Sequence, residues 1–528
     1  MLNKLISHDI LYLIALCLIA IGLPLSEALI SIGIVAIGIN WILEGKFKTK
    51  YNLFINNKSL WIFLSIYAVH VLWLIGTENW SHALKDLRIK LPLLVLPLVM
   101  GTSLPLNKKK IHFLILLFSA SVLVGSLVST YVLLGFSGKE IFDPREISIF
   151  ISHIRFSLLI NISIFFQGYF IYKKDFIFNR EKYFHFFSLV WLVFFLFILN
   201  SLTGIIIFLI ILFFGLGFMA YKSKKRINRF LYIGSVLTFL FLFTFYFLQM
   251  MHTFSKVEKK DKKSIPEFTK LGNKYYHDFE NEQVENNDYV WLYVCEKELQ
   301  EGWNQVSNLP YDGKDKKGHQ LRFTLIRYLT SKGLKKDAEG IGQLTSKDIH
   351  LIEEGYANHI YKNKFKLYPK LYETYWQIQV YKNGGNPSGH SVTLRFEYLK
   401  AGFNIVKNNF WFGVGTGDVQ QSFDNFYDRV NSPLSEKWRR RTHNQFITFL
   451  ISFGIFGFSW IIFALFYPCI KINYDNYFST IFIIIALLSM LNEDTLETHT
   501  GISFFAFFYA LLMFGRENKF HTIDATKT

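Results

Sequence analysis

The sequence predicts an all-α polytopic membrane protein with about twelve transmembrane helices and one large helical loop on the outer face. Of its 528 residues, 51% are apolar and only 18% are charged. The apolar residues fall in long runs rather than an even spread, as bilayer-spanning helices require. The 56 Phe fit lipid-facing helices, and the 28 Tyr and 11 Trp fit anchoring at the membrane–water interface.

A bilayer core needs about 20 apolar residues per helix, fewer for a short or partly buried one. By that measure spans lie near 9–23, 27–43, 59–76, 89–104, 111–136, 151–172, 183–200, 202–221, 230–251, 443–467, 475–491 and 500–515. Pro24 separates the short first pair, and Asn200-Ser201 makes a tight turn between the seventh and eighth. Lys4 precedes the first run and no small-residue cleavage site stands out, so that run reads as a retained helix rather than a signal peptide.

Loop charges orient the spans. Alternate loops hold Lys46, Lys48, Lys50 and Lys58, then Lys108–Lys110, then Lys173, Lys174, Arg180 and Lys182, then Lys222, Lys224, Lys225, Arg226 and Arg229, then Lys471. The intervening short loops hold only Lys85, Arg88, Lys90, Lys139 and Arg145. The positive-inside rule then puts both termini in the cytoplasm and the long segment 252–442 outside. An error of one helix would reverse the alternation. The same distribution explains the net charge of +17 without nucleic acid, because the basic clusters sit between apolar runs. Cys17, Cys295 and Cys469 form no CxxC pair, which supports neither a disulfide framework nor a cysteine metal site.

Three regions follow: helices one to nine over 1–251, the outer loop over 252–442, and helices ten to twelve with a short tail over 443–528. Within the loop, Lys256 to Lys263 is a hydrophilic linker. Tyr289 to Leu299 and Leu321 to Leu329 have helical apolar spacing, with Gly333 as a stop. Thr345-Ser346-Lys347-Asp348 predicts a capping box opening the run Ile349 to Tyr361. These elements make a helical subdomain over about 256–385, followed by the flexible turn 383–389 and an amphipathic motif segment over about 391–442.

Candidate chemistry concentrates after that turn. His443 reads either as an interfacial histidine at a helix start or as a proton acceptor. Arg439, Arg440 and Arg441 precede it on the face where positive charge is not expected, and guanidinium forks match phosphate oxygens. Arg395 is either a solvated residue of an amphipathic helix, Leu394 to Val406, or a phosphate ligand at the membrane surface. Gly413-Val414-Gly415-Thr416-Gly417 looks like a phosphate cradle, but no clear strand precedes it and no GK[ST] follows; a tight turn with close backbone packing is the better reading. Glu493 and Glu497, in the loop between the last two spans, are either a solvated turn or carboxylates that orient His443 or pair with an arginine. Arg155 and His153, at the outer end of the sixth span, are interfacial residues or substrate contacts. His70, mid-span, reads as a packed polar residue.

Arg395, Tyr398, Asn409, Gly413, Gly415, Gly417, His443, Asn444, Gln445, Phe446, Gly454 and Gly457 together give this stretch a pattern that resembles the O-antigen ligase and polymerase (Wzy-C-type) superfamily. The resemblance implies a GT-C-like glycosyltransferase in the bacterial inner membrane. Its reaction transfers a glycan from undecaprenyl pyrophosphate to a hydroxyl of lipid A–core on the periplasmic face, without metal, ATP or other cofactor. His443 takes the place of the proposed base, and Arg395 that of a pyrophosphate-binding arginine; Tyr398 and Asn444 support the site. The family often carries a Ser-Arg pair at the outer end of a middle helix, where this chain reads Asn200-Ser201-Leu202-Thr203-Gly204. Arg155 is a candidate replacement. A polymerase of lipid-linked repeats or a protein O-oligosaccharyltransferase would use the same donor. A transporter of the same lipid would instead predict charges at the bilayer midplane.

Overall fold

The computed structural model describes residues 7–138, 141, 144–255, 265–362, 367–471 and 477–516. The termini, Lys139 and the linker Lys256 to Lys263 lie outside the described residues. The chain divides into two compact units, Met1–Gly215 with Leu394–Thr528, and Leu216–Thr393.

The first unit opens with α1 (His8–Leu25), α2 (Glu27–Leu43), α3 (Phe47–Asn56), α4 (Lys58–Leu72), α5 (Trp80–Lys90), α6 (Pro92–Thr102), α7 (Lys108–Leu133), α8 (His153–Lys173), α9 (Glu181–Ile198) and the start of α10 (Leu202–Lys222). The second unit contains α11 (Arg226–Ser255), α12 (Glu296–Val306), α13 (Leu321–Ser331), α14 (Ala338–Gly342), α15 (Ser346–Glu353) and α16 (Leu367–Lys382). The chain returns to the first unit with α17 (Ser391–Asn408), α18 (Val419–Arg429), α19 (Gln445–Lys471), α20 (Tyr477–Met490) and α21 (His499–Met513). Among the described residues the apolar runs are helical, though not each as one helix, so the protein is an all-α polytopic membrane protein.

Among the described residues, α1, α7, α8, α9, α10, α11 and α19 are each long and apolar enough to cross a bilayer. Helices α2 and α3 qualify together but are bent by 112°. Helices α4, α20 and α21 are shorter apolar helices. The core of this unit is aromatic; Phe63 of α4 stacks on Tyr509 of α21 at 4.2 Å.

Two expectations shift. The first break falls at Ser26 rather than Pro24: extended Ser26 ends α1 and its hydroxyl accepts the Leu29 N–H to start α2. The run 89–104 is two elements, because Pro92 lacks an N–H and opens its own helix after α5 ends. His70 is fully packed, with Nδ1 donating to the Ile66 carbonyl at 2.8 Å.

In the second unit, Trp303, Tyr311, Leu325 and Tyr328 build a separate core. Strands β1 (Val284–Glu285) and β2 (Asp288–Tyr289) form a small hairpin, turned by Asn286 and Asn287 at positive φ. The expected helix 289–299 therefore begins only at Glu296, because Tyr293 is left-handed and Val294 pairs with Tyr276. Gly333, at φ 71°, ends α13 as its position predicts. The Thr345 capping box is present, but α15 stops at Glu353 before left-handed Gly355 and does not reach Tyr361.

The two glycine motifs of the first unit meet each other. Gly454 (φ 59°, ψ −169°) breaks α19. The break releases the Ile451 and Ser452 carbonyls from the helix ladder, and Val414 and Gly415 N–H donate to them at 2.8 and 2.9 Å. The freed Ile455 N–H donates to the Phe410 carbonyl at 2.8 Å. A Cβ on Gly413 would lie 2.5 Å from the Ser452 backbone, and one on Gly454 2.3 Å from that of Trp411. The GVGTG sequence is thus a backbone clasp rather than a phosphate cradle. Its continuation, Asp418, accepts the Glu78 and Asn79 N–H groups at 3.0 and 2.8 Å and anchors the loop before α5.

Gly454→Ala should lower stability by about 1–3 kcal/mol for the backbone conformation alone, with the steric clash added. Thermal melting in detergent reads the loss. Gly234→Ala on α11, where a Cβ meets nothing within 4 Å, should leave the melting temperature unchanged or higher.

Candidate active site

The site is built where the end of one loop meets the start of α19. Asn444 caps that helix: its side chain accepts the Ile447 N–H at 3.1 Å and donates to the Leu491 carbonyl at 2.9 Å. His443, immediately before it, is left-handed at φ 51° and lies outside the helix expected to begin there. Its backbone N–H donates to Asp494 at 3.0 Å, and its ring lies 5.5 Å from that of Tyr398. The Tyr398 hydroxyl donates to the Trp438 carbonyl at 2.7 Å, which ties α17 to the arginine run.

Glu493 joins the principal candidates. One carboxylate oxygen is 3.3 Å from Arg395 Nη2; the other is 3.5 Å from His443 Nδ1. Arg395 and His443 are about one-third exposed, at 33% and 30%, so both face accessible space. Nδ1 lies against a carboxylate, and His443 Nε2 has no hydrogen bond among the described residues. Glu493 also lines a small pocket with Arg155, Ser152, Thr495 and Thr500, together with Leu158, Leu159 and Phe504. Asn492 donates to Thr203 at 2.7 Å, so the turn lacking the Ser-Arg arginine adjoins the same loop.

The three consecutive arginines diverge. Arg439 turns away from His443 and pairs with Asp428 at 2.5 Å. Arg440 is exposed, 6.0 Å from the Trp438 ring. Arg441 reaches Glu497 at 3.6 Å and Gln420 at 3.3 Å.

Below them lies a buried network that sequence reasoning missed. Lys90, 2% exposed, contacts Asp86 at 2.5 Å and Glu497 at 2.9 Å. Gln445 donates to Glu497 at 2.8 Å, and its carbonyl accepts the Leu496 N–H at 2.7 Å. Asp494 accepts from Thr448 at 2.7 Å as well as from His443. The signals were a lone lysine at the polar edge of an apolar run and three carboxylates in Glu493-Asp494-Thr495-Leu496-Glu497.

Burial works against the Glu497 charge, but Lys90, Arg441 and the hydrogen bonds from Lys90 and Gln445 outweigh it and hold its pKa down at about 2. Burial pushes Asp494 up to about 6, with the Glu497 charge adding to the rise and the Thr448 hydrogen bond, His443 and Arg441 opposing it.

Residues 340–462 match the family model of the O-antigen ligase, Wzy_C. That stretch, about a quarter of the chain, is similar to the O-antigen ligase family. The match ends within α19 and includes Arg395, the clasp and His443. No curated protein matches the chain. The family supports a broadly O-antigen ligase-like, glycosyltransferase-like function in a multi-pass membrane protein, with a lipid-linked glycan and an acceptor as substrates.

Lys90→Met would leave Asp86 and Glu497 buried against too little positive charge, and should cost about 3–5 kcal/mol. An unchanged melting temperature would exclude this role. The pH dependence has two opposed parts. The Glu497 pairing is fully present above its ordinary value of 4.5 and is lost as pH falls toward 2, so Glu497→Gln should flatten the acid loss of stability. Asp494, raised from 3.8, costs stability above about pH 6 and is relieved as pH falls toward 4. Asp494→Asn should remove that gain, measured as melting temperature against pH relative to wild type.

Proposed function

We propose that this O-antigen ligase family protein transfers a glycan from undecaprenyl pyrophosphate to a hydroxyl of lipid A–core, at the periplasmic face of the bacterial inner membrane. The observation that carries the reading is Glu493, which holds Arg395 on one oxygen and faces His443 Nδ1 with the other. This arrangement presents a base and a guanidinium side by side.

The acceptor hydroxyl attacks the anomeric carbon, and its proton passes to His443 Nε2. The bond between the anomeric carbon and the pyrophosphate oxygen breaks, and the electron pair leaves with the pyrophosphate. Arg395 stabilises the developing charge. Arg155 is the second cation: it lines the pocket beside Glu493, and the adjoining 200–204 turn carries no arginine. Arg441, between Glu497 and Gln420, is a weaker third candidate; Arg439, paired with Asp428, has its charge directed elsewhere. A single displacement inverts the anomeric configuration.

The test uses the purified full-length protein with a lipid-linked glycan and, in separate reactions, lipid A–core, a second lipid-linked glycan and a protein acceptor. Transfer to lipid A–core supports a ligase; transfer only to the second or third acceptor replaces it with a polymerase or a protein O-oligosaccharyltransferase. His443→Ala should reduce transfer by about 100-fold or more while the protein remains in the membrane. Glu493→Gln should lie between wild type and that variant. Normal transfer by His443→Ala would sink the assignment.

A further inference from the structure

Away from the candidate active site, three buried side chains converge inside the helix bundle. His112 lies on the first turns of α7; Glu181 and His185 are one turn apart on one face of α9. They are 5%, 0% and 1% exposed. Both imidazoles direct Nε2 at the same oxygen, Glu181 Oε1, His185 from 2.9 Å and His112 from closer. The second oxygen accepts the Ile177 N–H at 2.6 Å. Phe170 stacks on both rings, with centroids at 4.0 and 5.1 Å, and fixes their planes. Phe170 is fifteen residues along α8 from Arg155, about 22 Å at the helical rise, so the cluster lies toward the opposite end of that helix from the glycan site.

The charge balance sets this cluster apart. Buried Glu285 faces Arg327, and partly buried Glu497 faces buried Lys90. Among the described residues no lysine or arginine pairs with Glu181; its ionic partners are the two imidazoles. A fully buried carboxylate needs a cation or a proton near it. Two imidazole nitrogens and one carboxylate oxygen, all within 4.8 Å of one another, are also the donor set that suits zinc-like divalent ions. An ion at bond lengths of about 2.0–2.1 Å would spread these donors to roughly 3.4 Å apart, a shift within reach of small side-chain rotations. Two donors come from adjacent turns of α9 and the third from α7, so a bound ion would link those helices.

We propose that His112, Glu181 and His185 form a binding site for a divalent transition-metal ion of the zinc class, with a structural role that stabilises the α7–α9 junction. The site takes no part in glycan transfer. Three protein donors leave at least one coordination position for water.

The test uses the full-length chain purified in detergent without a histidine tag. It is incubated with Zn²⁺ or Co²⁺, desalted, and measured for retained metal by mass spectrometry. Equimolar retention is expected, with visible Co²⁺ absorption of a low-symmetry nitrogen–oxygen site and a raised melting temperature on Zn²⁺ addition. All three should be lost in His112→Asn and in His185→Asn, which keep side-chain size and a hydrogen-bonding group. Because a misfolded variant would also hold no metal, the Co²⁺ spectrum and the Zn²⁺ melting shift of the wild type stand as independent readouts. Failure of the wild type to retain metal, or equal retention by the folded variants, would overturn the proposal in favour of a hydrogen-bonded His–Glu–His triad.

Discussion

The break at Gly454 is the constraint on which the first unit depends. A helix interrupted inside a membrane protein exposes backbone donors and acceptors that no water satisfies. Here the interruption is answered in full by one segment. Val414, Gly415 and Phe410 take up the groups that Ile451, Ser452 and Ile455 release. Because backbone hydrogen bonds tolerate no slip in register, the end of α17 is fixed against α19. Arg395 lies on α17 and His443 just before α19, so the same clasp sets how these two candidate side chains approach. Its glycines are required because backbone atoms occupy the space a Cβ would fill.

Electrostatics completes what the clasp begins. The loop between α20 and α21 places three carboxylates within five residues, and each has a different task. Glu493 lies between Arg395 and His443, Asp494 holds the His443 backbone and Thr448, and Glu497 is buried against Lys90 and Arg441. Burying Glu497 is unfavourable alone, and Lys90 makes it tolerable. This buried pair pins one end of the loop, so that Glu493 at the other end can remain partly exposed without losing its position. Rigid support below and accessible charge above is the arrangement a preorganised site needs.

Much of this was legible in the sequence, for identifiable reasons. Apolar runs near bilayer length have one physical solution, so among the described residues they are helical. Boundaries were weaker where local chemistry decided them, as at Ser26, whose hydroxyl caps the next helix, and at Pro92, which splits one expected span. The 289–299 stretch has helical spacing but is claimed by a hairpin and by pairing to Tyr276, contacts that no local pattern encodes. His443, Arg395 and Glu493 could be nominated from residue type and placement. Lys90 could be noted at the edge of an apolar run, but its pairing could not, because its partner Glu497 is 407 residues away in the chain. The arginine run illustrates the converse: adjacency in sequence suggested one clamp, yet outside a regular helix three neighbours point to Asp428, Trp438 and Glu497.

The absent Ser-Arg arginine is best understood in terms of position rather than sequence. In the proposed reaction the leaving pyrophosphate requires positive charge at a point in space, and long side chains can deliver it from more than one helix end. The turn 200–204 and the start of α8 are packed together: Ser201 donates to Ser157 at 3.0 Å, and a Cβ on Gly204 would strike Ser157. An arginine leaving from either element therefore begins close to the same place. In this chain the 200–204 turn is occupied by small residues that let the helices meet, with Thr203 bound to Asn492. Arg155, one turn into α8 and capped by Ser152, reaches the pocket beside Glu493 from the other side of that contact. Close packing at the turn and a guanidinium at the pocket are competing demands on the same few residues, and the proposed placement of the charge on α8 meets both.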